Sequence, residues 1–398
     1  MNHPPPKAAN RRVLISGAGV AGPALAFWLA RAGFQTTIVE RAPALRVGGQ
    51  AVDFRGPIHR HVLERMEIWQ DIHQHRTRAT DLVLLDRRGA PRARMPEVMM
   101  SGDVEILRGD LCRILHERTR RETEYRFGDH VCSLAERGDA VAVSFASGRT
   151  EEFDLVVGAD GLHSGVRALA FGDEGDYLRH QGYRIASFAL ENPLPDRVGA
   201  ACFSEPGRGA CLYGFSPGEA RALLVYAAGP LARGERDVES QKREIGERFA
   251  GMSWVVPRML AALESASDLY VDAIATVHID RYANGRVGLL GDAAWGGTLG
   301  GQGTSVAIVG AYVLAHELAA DANPSRAWAR YERKMRPYAT RCQRGATHVG
   351  GFFAPRSRRG LALRNFMYGV LTSRPFAGVF TRLVKRAATD FALPEYAG

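Results

Sequence analysis

The sequence predicts an α/β fold in which a parallel, Rossmann-like sheet is interleaved with a β-sheet layer and followed by C-terminal helices. The first of three observations is a glycine-rich turn that joins an apolar strand to a helix at residues 13–32. The second is a pair of further apolar strands that end in acidic turns, at Asp160 and Asp292. The third is the change to short strands punctuated by proline and glycine over residues 181–279. Strands that alternate with helices are typical of a parallel sheet, and ligands bind where its strands end.

The first element is a strand, a turn and a helix at the start of the chain. Residues 13–16 form an apolar run, and Gly17, Gly19 and Gly22 follow it in the spacing G-x-G-x-x-G. In a dinucleotide site these glycines permit a tight turn, let the backbone approach a pyrophosphate, and allow the helix to pack closely on the strand. The helix N-terminus offers free N–H groups to phosphates. Glu40 ends the next strand, where a carboxylate can accept hydrogen bonds from an adenosine ribose.

The two acidic turns each follow an apolar strand. Residues 155–159 form the first of these strands and lead into Asp160, whereas residues 287–290 form the second and lead to Asp292. A glycine-rich loop follows Asp292, and the helix predicted after it, at residues 304–318, is almost wholly apolar. Such a helix must be buried. A glycine loop between a core strand and a core helix lets the backbone approach a flat, polar ligand closely.

Shorter elements link these motifs. We expect a helix over residues 59–69, whose apolar side chains share one face, and a second helix that begins at Asp110, which is well placed as an N-cap. The strands expected between the second and third motifs are residues 183–190, 210–215, 222–227 and 269–278.

The composition is that of an ordinary folded protein. Hydrophobic residues make up 46% and charged residues 24% of the 398 residues, a balance typical of globular proteins. The net charge of +9 suits nucleic acid or an anionic membrane, but no nucleic-acid motif accompanies it. We therefore interpret the charge as the basic surface of an arginine-rich protein that binds anionic cofactors, and we expect no nucleic-acid partner.

The N-terminal tail, the apolar windows and the cysteines bear on location. Residues 1–10 have neither the apolar core nor the cleavage site of a signal peptide. The longest uncharged windows, 13–30 and 293–315, are broken by glycine turns, so we expect no stable membrane insertion. The five cysteines form no C-x-x-C pair. We therefore expect no metal site and no disulfide framework, and we expect a cytoplasmic location.

Three separated motifs carry a resemblance to a known family. They are residues 17–22 (GAGVAG) with Glu40, Asp160-Gly161 with Arg167, and Gly291-Asp292 with residues 301–303 (GQG). In this order and spacing they resemble the class A flavoprotein monooxygenases, the para-hydroxybenzoate-hydroxylase-like group that includes aromatic polyketide hydroxylases and tetracycline-inactivating oxygenases. The resemblance implies a discontinuous FAD-binding domain of glutathione-reductase type at 11–75, 101–180 and 281–345, a β-sheet substrate domain at 76–100 and 181–280, and a C-terminal helical segment at 346–398.

The resemblance also implies the cofactors and the residues that hold them. FAD is the expected cofactor, and NADPH or NADH is the transient reductant, without a nucleotide-binding domain of its own. Glu40 is expected to bind the adenosine ribose, Arg108 to lie along the cofactor, Asp160 to support the cofactor and the reductant surface, and Asp292 to hold the ribityl chain. The full expected set is Gly17, Gly19, Gly22, Glu40, Arg41, Gln50, Arg108, Asp160, Gly291, Asp292, Gly301, Gln302, Gly303 and Thr304. The backbone N–H groups of Gly303 and Thr304, which open the apolar helix, can stabilise negative charge on reduced flavin.

The implied reaction inserts one oxygen atom from O2 into an aromatic or polyketide-like small molecule through a flavin C4a-hydroperoxide. Hydroxylation is the expected outcome, and epoxidation and Baeyer–Villiger insertion stay open as alternatives. Because the cofactor performs this chemistry, we expect no catalytic triad. Four histidines are accordingly interpreted as structural or surface residues, namely His59, His61, His163 and His316.

Two departures from the family pattern concern the third motif. Trp295 stands where the family usually has histidine, and no proline precedes Gly301, so the loop is predicted to be one residue shorter. Trp295 either lines the substrate pocket or packs beneath the loop, and it is a catalytic candidate together with the backbone of Gly303 and Thr304. The altered loop motivates an alternative, a flavin-dependent dehydrogenase or reductase without oxygen transfer. A non-catalytic flavin-binding protein is the third alternative.

The β-sheet layer is expected to hold the substrate, mostly through apolar contacts. The candidate pocket residues are Phe203, Tyr213, Phe215, Tyr226 and Trp295, although alternate positions on such strands are simply core. Residues 352–398 have a basic amphipathic pattern that suits a membrane surface, but we favour packing over the substrate domain. The sequence predicts no particular oligomeric state.

Overall fold

The computed structural model describes residues 10–45, 49–77, 80–97, 102–196, 199–230, 237–298 and 303–373, together with Leu393 and Tyr396. Its strands are β1 (Arg12–Ser16), β2 (Gln35–Glu40), β3 (Ala51–Phe54), β4 (Leu82–Leu85), β5 (Pro91–Met95), β6 (Val104–Leu107), β7 (Thr123–Phe127), β8 (Val131–Arg137), β9 (Ala140–Phe145), β10 (Thr150–Phe153), β11 (Leu155–Gly158), β12 (Leu178–Leu190), β13 (Gly199–Glu205), β14 (Arg208–Gly214), β15 (Ala220–Ala227), β16 (Tyr270–Val277), β17 (Ala283–Asn284) and β18 (Val287–Leu289). Its helices are α1 (Ala21–Arg31), α2 (Gly56–Arg65), α3 (Trp69–Gln74), α4 (Arg108–Thr119), α5 (Gly165–Phe171), α6 (Glu174–Tyr177), α7 (Val238–Phe249), α8 (Val256–Ser265), α9 (Asp292–Trp295), α10 (Gly303–Ala320), α11 (Pro324–Ala346), α12 (Val349–Phe353) and α13 (Arg358–Leu371).

A six-stranded sheet in the order β17-β18-β11-β1-β2-β7 forms the first layer. All of its neighbouring strands are parallel except β17 and β18. The apolar runs of β1 and β11 are buried, as a parallel sheet covered by helices requires. The predicted α/β fold with a parallel sheet is confirmed, and the three motif strands β1, β11 and β18 are neighbours in it.

Helices α1 and α10 pack against each other beside this sheet. Trp28 of α1 and Tyr312 of α10 meet edge to face, with their ring centroids 4.9 Å apart. Almost the whole length of α10 is buried, as its apolar sequence predicts. In the part of the chain that the structure describes, α10 is the one helix long and apolar enough to cross a membrane, and its burial is that of a core helix.

Two predicted helix boundaries are wrong. Helix α4 begins at Arg108, so Asp110 lies in its first turn and is not the N-cap. The helix begins earlier because the Arg108 N–H donates to the carbonyl of Gln50 at 3.1 Å and continues the pairing of β6 with β3. The helix expected at residues 59–69 is divided into α2 and α3, because Glu67 has a φ of 58°, a left-handed conformation that breaks an α-helix.

A seven-stranded sheet in the order β16-β12-β15-β14-β13-β4-β5 forms the second layer. Neighbouring strands are antiparallel except β13 and β4, which are parallel. The four strands predicted between the second and third motifs are present as β12, β14, β15 and β16. The sequence analysis missed β13 and the two helices α7 and α8, which share a hydrophobic core with one face of the sheet.

A disulfide joins Cys202 of β13 to Cys211 of β14, a single crosslink that the sequence analysis did not foresee. The two strands form a hairpin in which residues at equal distances from the turn face each other, and these cysteines are one such pair. Their sequence separation of 9 does not match the C-x-x-C pattern on which the expectation rested.

Strands β3 and β6 form a separate two-stranded sheet, here named the β3–β6 ribbon. It lies beside the start of α10, where the Ser305 hydroxyl donates to the carbonyl of Asp53. Helix α13 packs on β5, and its buried Arg364 donates to the carbonyl of Phe352 at 2.7 Å and to the hydroxyl of Ser204 at 3.0 Å. This helix therefore packs on the seven-stranded sheet. Residues 374–392, which belong to the predicted C-terminal helical segment, lie outside the described residues.

Candidate cofactor site

The carboxyl ends of three neighbouring strands build one edge of the six-stranded sheet. Strand β1 leads into Gly17, β11 leads into Asp160, and β18 leads into Asp292. Backbone hydrogen bonds extend the pairing to this edge, for example from the N–H of Gly17 to the carbonyl of Val39 at 2.8 Å. Because parallel strands end together, the three motifs that lie far apart in the sequence meet here.

The three glycines of the first motif differ in the atoms that a Cβ at each position would meet. Gly17 has a φ of 111°, and a Cβ there would lie 2.5 Å from the carbonyl oxygen of Ala159. A Cβ at Gly22 would collide with the carbonyl oxygen of Gly17. At Gly19, by contrast, a Cβ would meet only the guanidinium of Arg108, at an ordinary contact distance of 3.7 Å. The fold itself therefore requires glycine at two of these positions, and the space beside Gly19 is open to a ligand.

Arg108 supplies a positive charge beside this open space. Its guanidinium lies next to Gly19 and is exposed, and its backbone is anchored to Gln50 of the segment that leads into the β3–β6 ribbon. Its aliphatic stem packs over Gly49, where a Cβ would lie 3.3 Å from the Arg108 Cβ. A cation next to a helix N-terminus and a glycine turn fits the pyrophosphate of a dinucleotide.

Glu40 ties the glycine turn to the end of β2. Its carboxylate accepts hydrogen bonds from the N–H groups of Ala18 and Ala42, both at 2.9 Å. Each carboxylate oxygen has a second lone pair, so Glu40 can accept ribose hydroxyls while it holds the turn. Arg41 is exposed, and its guanidinium lies near Gly165, on the side where the Asp160 loop approaches.

Asp160 stabilises the loop that leads into α5. Its carboxylate accepts hydrogen bonds from the Ser164 hydroxyl, from the N–H of Val166 at 3.1 Å and from the Ser16 hydroxyl at 3.4 Å. Burial raises the pKa of Asp160, and the hydrogen bonds from Ser164 and the backbone oppose that shift. All of these donors are groups of the protein. Asp160 therefore holds its own loop in place at the edge of the sheet.

Arg167 links the second motif to the third. Its buried guanidinium donates to the carbonyl of Leu162 at 2.7 Å and to the carbonyl of Ala293 at 3.0 Å. Ala293 follows Asp292, so this arginine fixes the backbone next to that acid. The sequence analysis included Arg167 in the motif but assigned it no role, because its hydrogen bonds go to carbonyl oxygens, which no sequence pattern marks. Its guanidinium also lies 3.5 Å from the carboxylate of Glu174.

The hydrogen bonding of Asp292 is incomplete. Its Oδ1 is buried and has no hydrogen-bond partner among the described residues. Burial raises the pKa of Asp292, and the positive charge of Arg108 opposes the shift. A Cβ at Gly303 would lie 2.9 Å from this oxygen, so the carboxylate faces the start of α10. An unpartnered buried carboxylate is costly, and a hydroxyl-bearing cofactor chain would supply the missing donor. The residues of this edge therefore fit FAD.

Trp295 packs beneath the loop, and its assignment as a pocket and catalytic residue is wrong. Its ring is buried, with centroids 5.2 Å from Tyr282 and 6.1 Å from Tyr331. The indole also contacts α10 at Gly310, where a Cβ would lie only 3.0 Å from it. The glycine provides the space that lets this large side chain turn inward. The glycine-rich loop that follows Trp295 ends at Gly303, where α10 begins.

Two expected site residues, Gly301 and Gln302, lie outside the described residues. Gly291, which precedes Asp292, has a φ of 65° and makes the sharp turn that ends β18. Thr304 follows Gly303 in the first turn of α10, and both are partly buried.

The pocket candidates divide between the two faces of the seven-stranded sheet. Tyr213 packs on the face of the sheet opposite α7 and α8, and burial raises its pKa. Phe215 follows the end of β14 and is partly buried. Phe203 and Tyr226 lie on the opposite face, in the core shared with α7 and α8, so their assignment to the pocket is wrong. Side chains alternate along a strand, and the covering helices decide which set is core.

His163 lies in the loop after β11 of the six-stranded sheet, and it is hydrogen-bonded to Asp272 of β16 in the seven-stranded sheet. Its Nδ1 lies 3.0 Å from the carboxylate of Glu174, and its Nε2 lies 2.9 Å from Oδ1 of Asp272. The hydroxyl of Tyr270 donates to the other oxygen of Asp272 at 3.0 Å. The hydrogen bond to Asp272, followed by that to Glu174, raises the pKa of His163 to about 9. The imidazolium is therefore held between two carboxylates.

This arrangement predicts a pH-dependent stability. The pKa of His163 rises from 6.5 to about 9 on folding, so its stabilisation is fully present below pH 6.5 and is lost as the pH rises through about 9. We expect the melting temperature of the wild type to fall over that range by about 3 °C more than that of His163→Gln. Thermal unfolding followed by circular dichroism measures this difference. The control is His61→Gln, an exposed position on α2, which should follow the wild-type curve; equal slopes for all three proteins would contradict the prediction.

The parallel sheet, its glycine turn and the buried acid at its edge define a dinucleotide-binding oxidoreductase of the flavoprotein class. The chain belongs to the FAD binding domain family, whose model matches residues 10–346.

Similarity to known proteins supports this family membership. A flavin-dependent monooxygenase of Legionella longbeachae serogroup 1 (strain NSW150) is 34% identical over 351 residues, which are 86% of this chain and 90% of that protein. An uncharacterized protein of Mycobacterium tuberculosis (strain ATCC 25618 / H37Rv) is 41% identical over 318 residues, 78% of this chain and 85% of that protein. The crystal structure of the tetracycline destructase Tet(55) matches with a TM-score of 0.81 at 33% identity, and the match covers 98% of this chain and 100% of that chain. The resemblance to class A flavoprotein monooxygenases is confirmed, and the chain is an FAD-dependent monooxygenase.

Proposed function

We propose that this FAD-dependent monooxygenase hydroxylates an aromatic or polyketide-like small molecule, with NADPH or NADH as its transient reductant. The observation that supports this substrate class is the similarity to the tetracycline destructase Tet(55), at 33% identity over 98% of this chain. The aromatic residues Tyr213 and Phe215, at the end of β14, suit a flat, hydroxylated ligand.

Our assignment of the FAD-binding residues follows the groups described above. The pyrophosphate is placed beside Gly19, where the turn leaves open space and Arg108 supplies a cation. The adenosine ribose is placed at Glu40, whose oxygens retain acceptor capacity. The ribityl chain is placed at Asp292, whose buried Oδ1 has no partner within the described residues.

The start of α10 is assigned to the flavin ring. The first N–H groups of a helix have no partners inside the helix, and the positive end of its dipole lies at the same place. Gly303 and Thr304 begin α10, so their N–H groups would stabilise negative charge on a ring placed there. When bound, FAD supplies the redox and oxygen-activating chemistry, and the protein supplies orientation and the exclusion of water. The roles of Gly301 and Gln302 and a cytoplasmic location stay predictions.

Product analysis under labelled oxygen tests the proposed function. FAD-loaded protein, NADPH and ¹⁸O2 are incubated with tetracycline and with a set of simple phenols, and products are analysed by mass spectrometry. The proposal predicts a product that carries one ¹⁸O atom for each NADPH consumed. Oxidation or reduction of a substrate without incorporation of ¹⁸O would contradict it and favour the dehydrogenase or reductase alternative.

A further inference from the structure

Helix α13 has two different faces. Its inner face packs on the protein: the ring of Tyr368 meets that of Phe352 with the centroids 5.2 Å apart, and the buried guanidinium of Arg364 donates to the hydroxyl of Ser204 at 3.0 Å. Its outer face carries four large apolar side chains that are exposed, namely Leu363, Phe366, Met367 and Val370. Because the inner contacts fix the rotation of the helix, these four side chains are held away from the protein.

The four exposed side chains form one apolar strip. Their spacing of i, i+3, i+4 and i+7 places them on one side of an α-helix. Phe366 is 69% and Leu363 is 58% exposed. Among the residues that the structure describes, the other exposed large apolar side chains are Leu169 on α5 and Val238 on α7. Single exposed apolar residues are ordinary, whereas a contiguous group of them marks an interaction surface.

Arginines lie at the start of this strip. Arg358 and Arg359 open α13 and are exposed, and no ion pair to either is present in the part of the chain that the structure describes. Arg359 precedes Leu363 by four residues and Phe366 by seven, so it shares their side of the helix. The helix contains no acidic residue. A helix that combines arginines with an exposed apolar side has the pattern of helices that lie in a membrane interface.

The positive charge of the whole chain comes from the region around α13. Residues 333–389 contain 13 lysines and arginines and no aspartate or glutamate. The whole chain has 52 basic and 43 acidic residues, so the remainder carries a net charge of −4. The net charge of +9 is therefore not spread evenly along the chain. An anionic surface would be attracted to the region that contains α13 and not to the rest of the protein.

We propose that the outer face of α13 docks on an anionic membrane surface. The apolar strip enters the boundary between headgroups and acyl chains, and the arginines at its start meet lipid phosphates. The attachment is peripheral, because α13 has 14 residues, fewer than the about 20 that cross a bilayer, and its inner face stays packed on the protein. This inference does not depend on the proposed function.

Two other occupants of this face are less well matched to it. A nucleic acid would pair with the arginines but would leave the apolar strip in contact with water. A second copy of the chain would cover the strip but would bring two basic regions together, and like charges repel. An anionic lipid surface satisfies both the apolar and the basic part of the helix.

Vesicle flotation with the full-length, FAD-loaded protein tests the proposal. Vesicles of phosphatidylcholine alone are compared with vesicles of phosphatidylcholine and phosphatidylglycerol in equal amounts. We expect the wild type to bind the mixed vesicles at least about tenfold more strongly than the neutral ones, since each arginine near an anionic surface strengthens binding by about fivefold. Added salt should weaken that binding. A wild type that does not bind the mixed vesicles would overturn the proposal.

Paired variants separate the apolar part from the basic part. Phe366→Ser/Met367→Ser should weaken binding to the mixed vesicles by about tenfold or more, because two apolar side chains no longer enter the interface. Arg358→Gln/Arg359→Gln should weaken the same binding by about 20-fold. The matched control is Leu169→Ser/Val238→Ser, which removes the exposed apolar residues outside α13 and should bind as the wild type does. All six positions are exposed, so thermal unfolding should show melting temperatures close to that of the wild type.

The remaining outcomes distinguish the other occupants. Equal vesicle binding by the wild type and both α13 variants would overturn the proposal. Gel filtration that shows a wild-type dimer and a Phe366→Ser/Met367→Ser monomer would assign the strip to a second copy. Binding to double-stranded DNA that Arg358→Gln/Arg359→Gln abolishes, without binding to the mixed vesicles, would assign the arginines to a nucleic acid. Each of these two results would also overturn the membrane assignment.

Discussion

Gly19→Val should remove FAD binding and leave the fold almost unchanged. A Cβ at Gly19 meets no backbone atom within ordinary contact distance and only the flexible end of Arg108, at 3.7 Å. The φ of Gly19 is not among the positive values, so a side chain is compatible with its backbone. The glycine is therefore required by the ligand and not by the protein. Filling the space of a rigid pyrophosphate costs about 3 kcal/mol, so we expect FAD affinity to fall by about 100-fold or more.

Gly22→Ala is the matched control for this prediction. A Cβ at Gly22 would collide with the carbonyl oxygen of Gly17, so this variant should lower the melting temperature of the protein even without FAD. Flavin fluorescence titration and thermal unfolding of the FAD-free proteins give the two quantities. A Gly19→Val protein that retains wild-type FAD affinity would contradict the placement of the pyrophosphate, and so would a loss of folding in Gly19→Val equal to that in Gly22→Ala.

Asp292→Ala should weaken FAD binding while the FAD-free protein keeps or gains stability. Hydrogen bonds to charged groups contribute about 1.5–3 kcal/mol, so we expect FAD affinity to fall by about 10- to 150-fold. In the protein without FAD, however, the Oδ1 of Asp292 is buried without a partner in the described structure, and burial raises its pKa. Removing an unsatisfied carboxylate removes an unfavourable desolvation term, so the melting temperature should not fall.

Asp160→Ala is the matched control for Asp292→Ala, because it also removes a buried carboxylate. Burial raises the pKa of Asp160 too, but its carboxylate accepts hydrogen bonds from Ser164 and Val166 at the start of α5. Its removal takes away hydrogen bonds to a charged group, each worth about 1.5–3 kcal/mol, and should therefore lower the melting temperature. The account would be wrong if Asp292→Ala destabilised the FAD-free protein as much as Asp160→Ala does and retained normal FAD affinity.

The edge of the parallel sheet could be predicted from the sequence because its physical rule is simple. Apolar strands followed by Gly17, Asp160 and Asp292 must end on the same side if they are parallel. That rule places the motifs together without knowledge of any contact. It does not reveal that Asp160 is engaged with its own loop whereas Asp292 lacks a partner, since both are acids after a buried strand.

Side-chain direction in the second layer could not be predicted in the same way. Phe203 and Tyr226 alternate with their neighbours as pocket residues would, but α7 and α8 cover their face, and these helices were not recognised in the sequence. Trp295 turns inward because Gly310, fifteen residues later in the sequence, leaves space for its ring. Such pairings depend on tertiary packing and carry no local signal.

The central claim is that this chain binds FAD at the edge of the parallel sheet and uses it to activate oxygen. Rapid mixing tests it most directly: FAD-loaded protein is reduced without oxygen, mixed with O2, and followed by absorbance on the millisecond time scale. The account predicts a transient species whose spectrum differs from those of both reduced and oxidised flavin, and a shorter lifetime of that species when an accepted substrate is present. A direct, slow return to oxidised flavin, unaffected by any substrate, would contradict it.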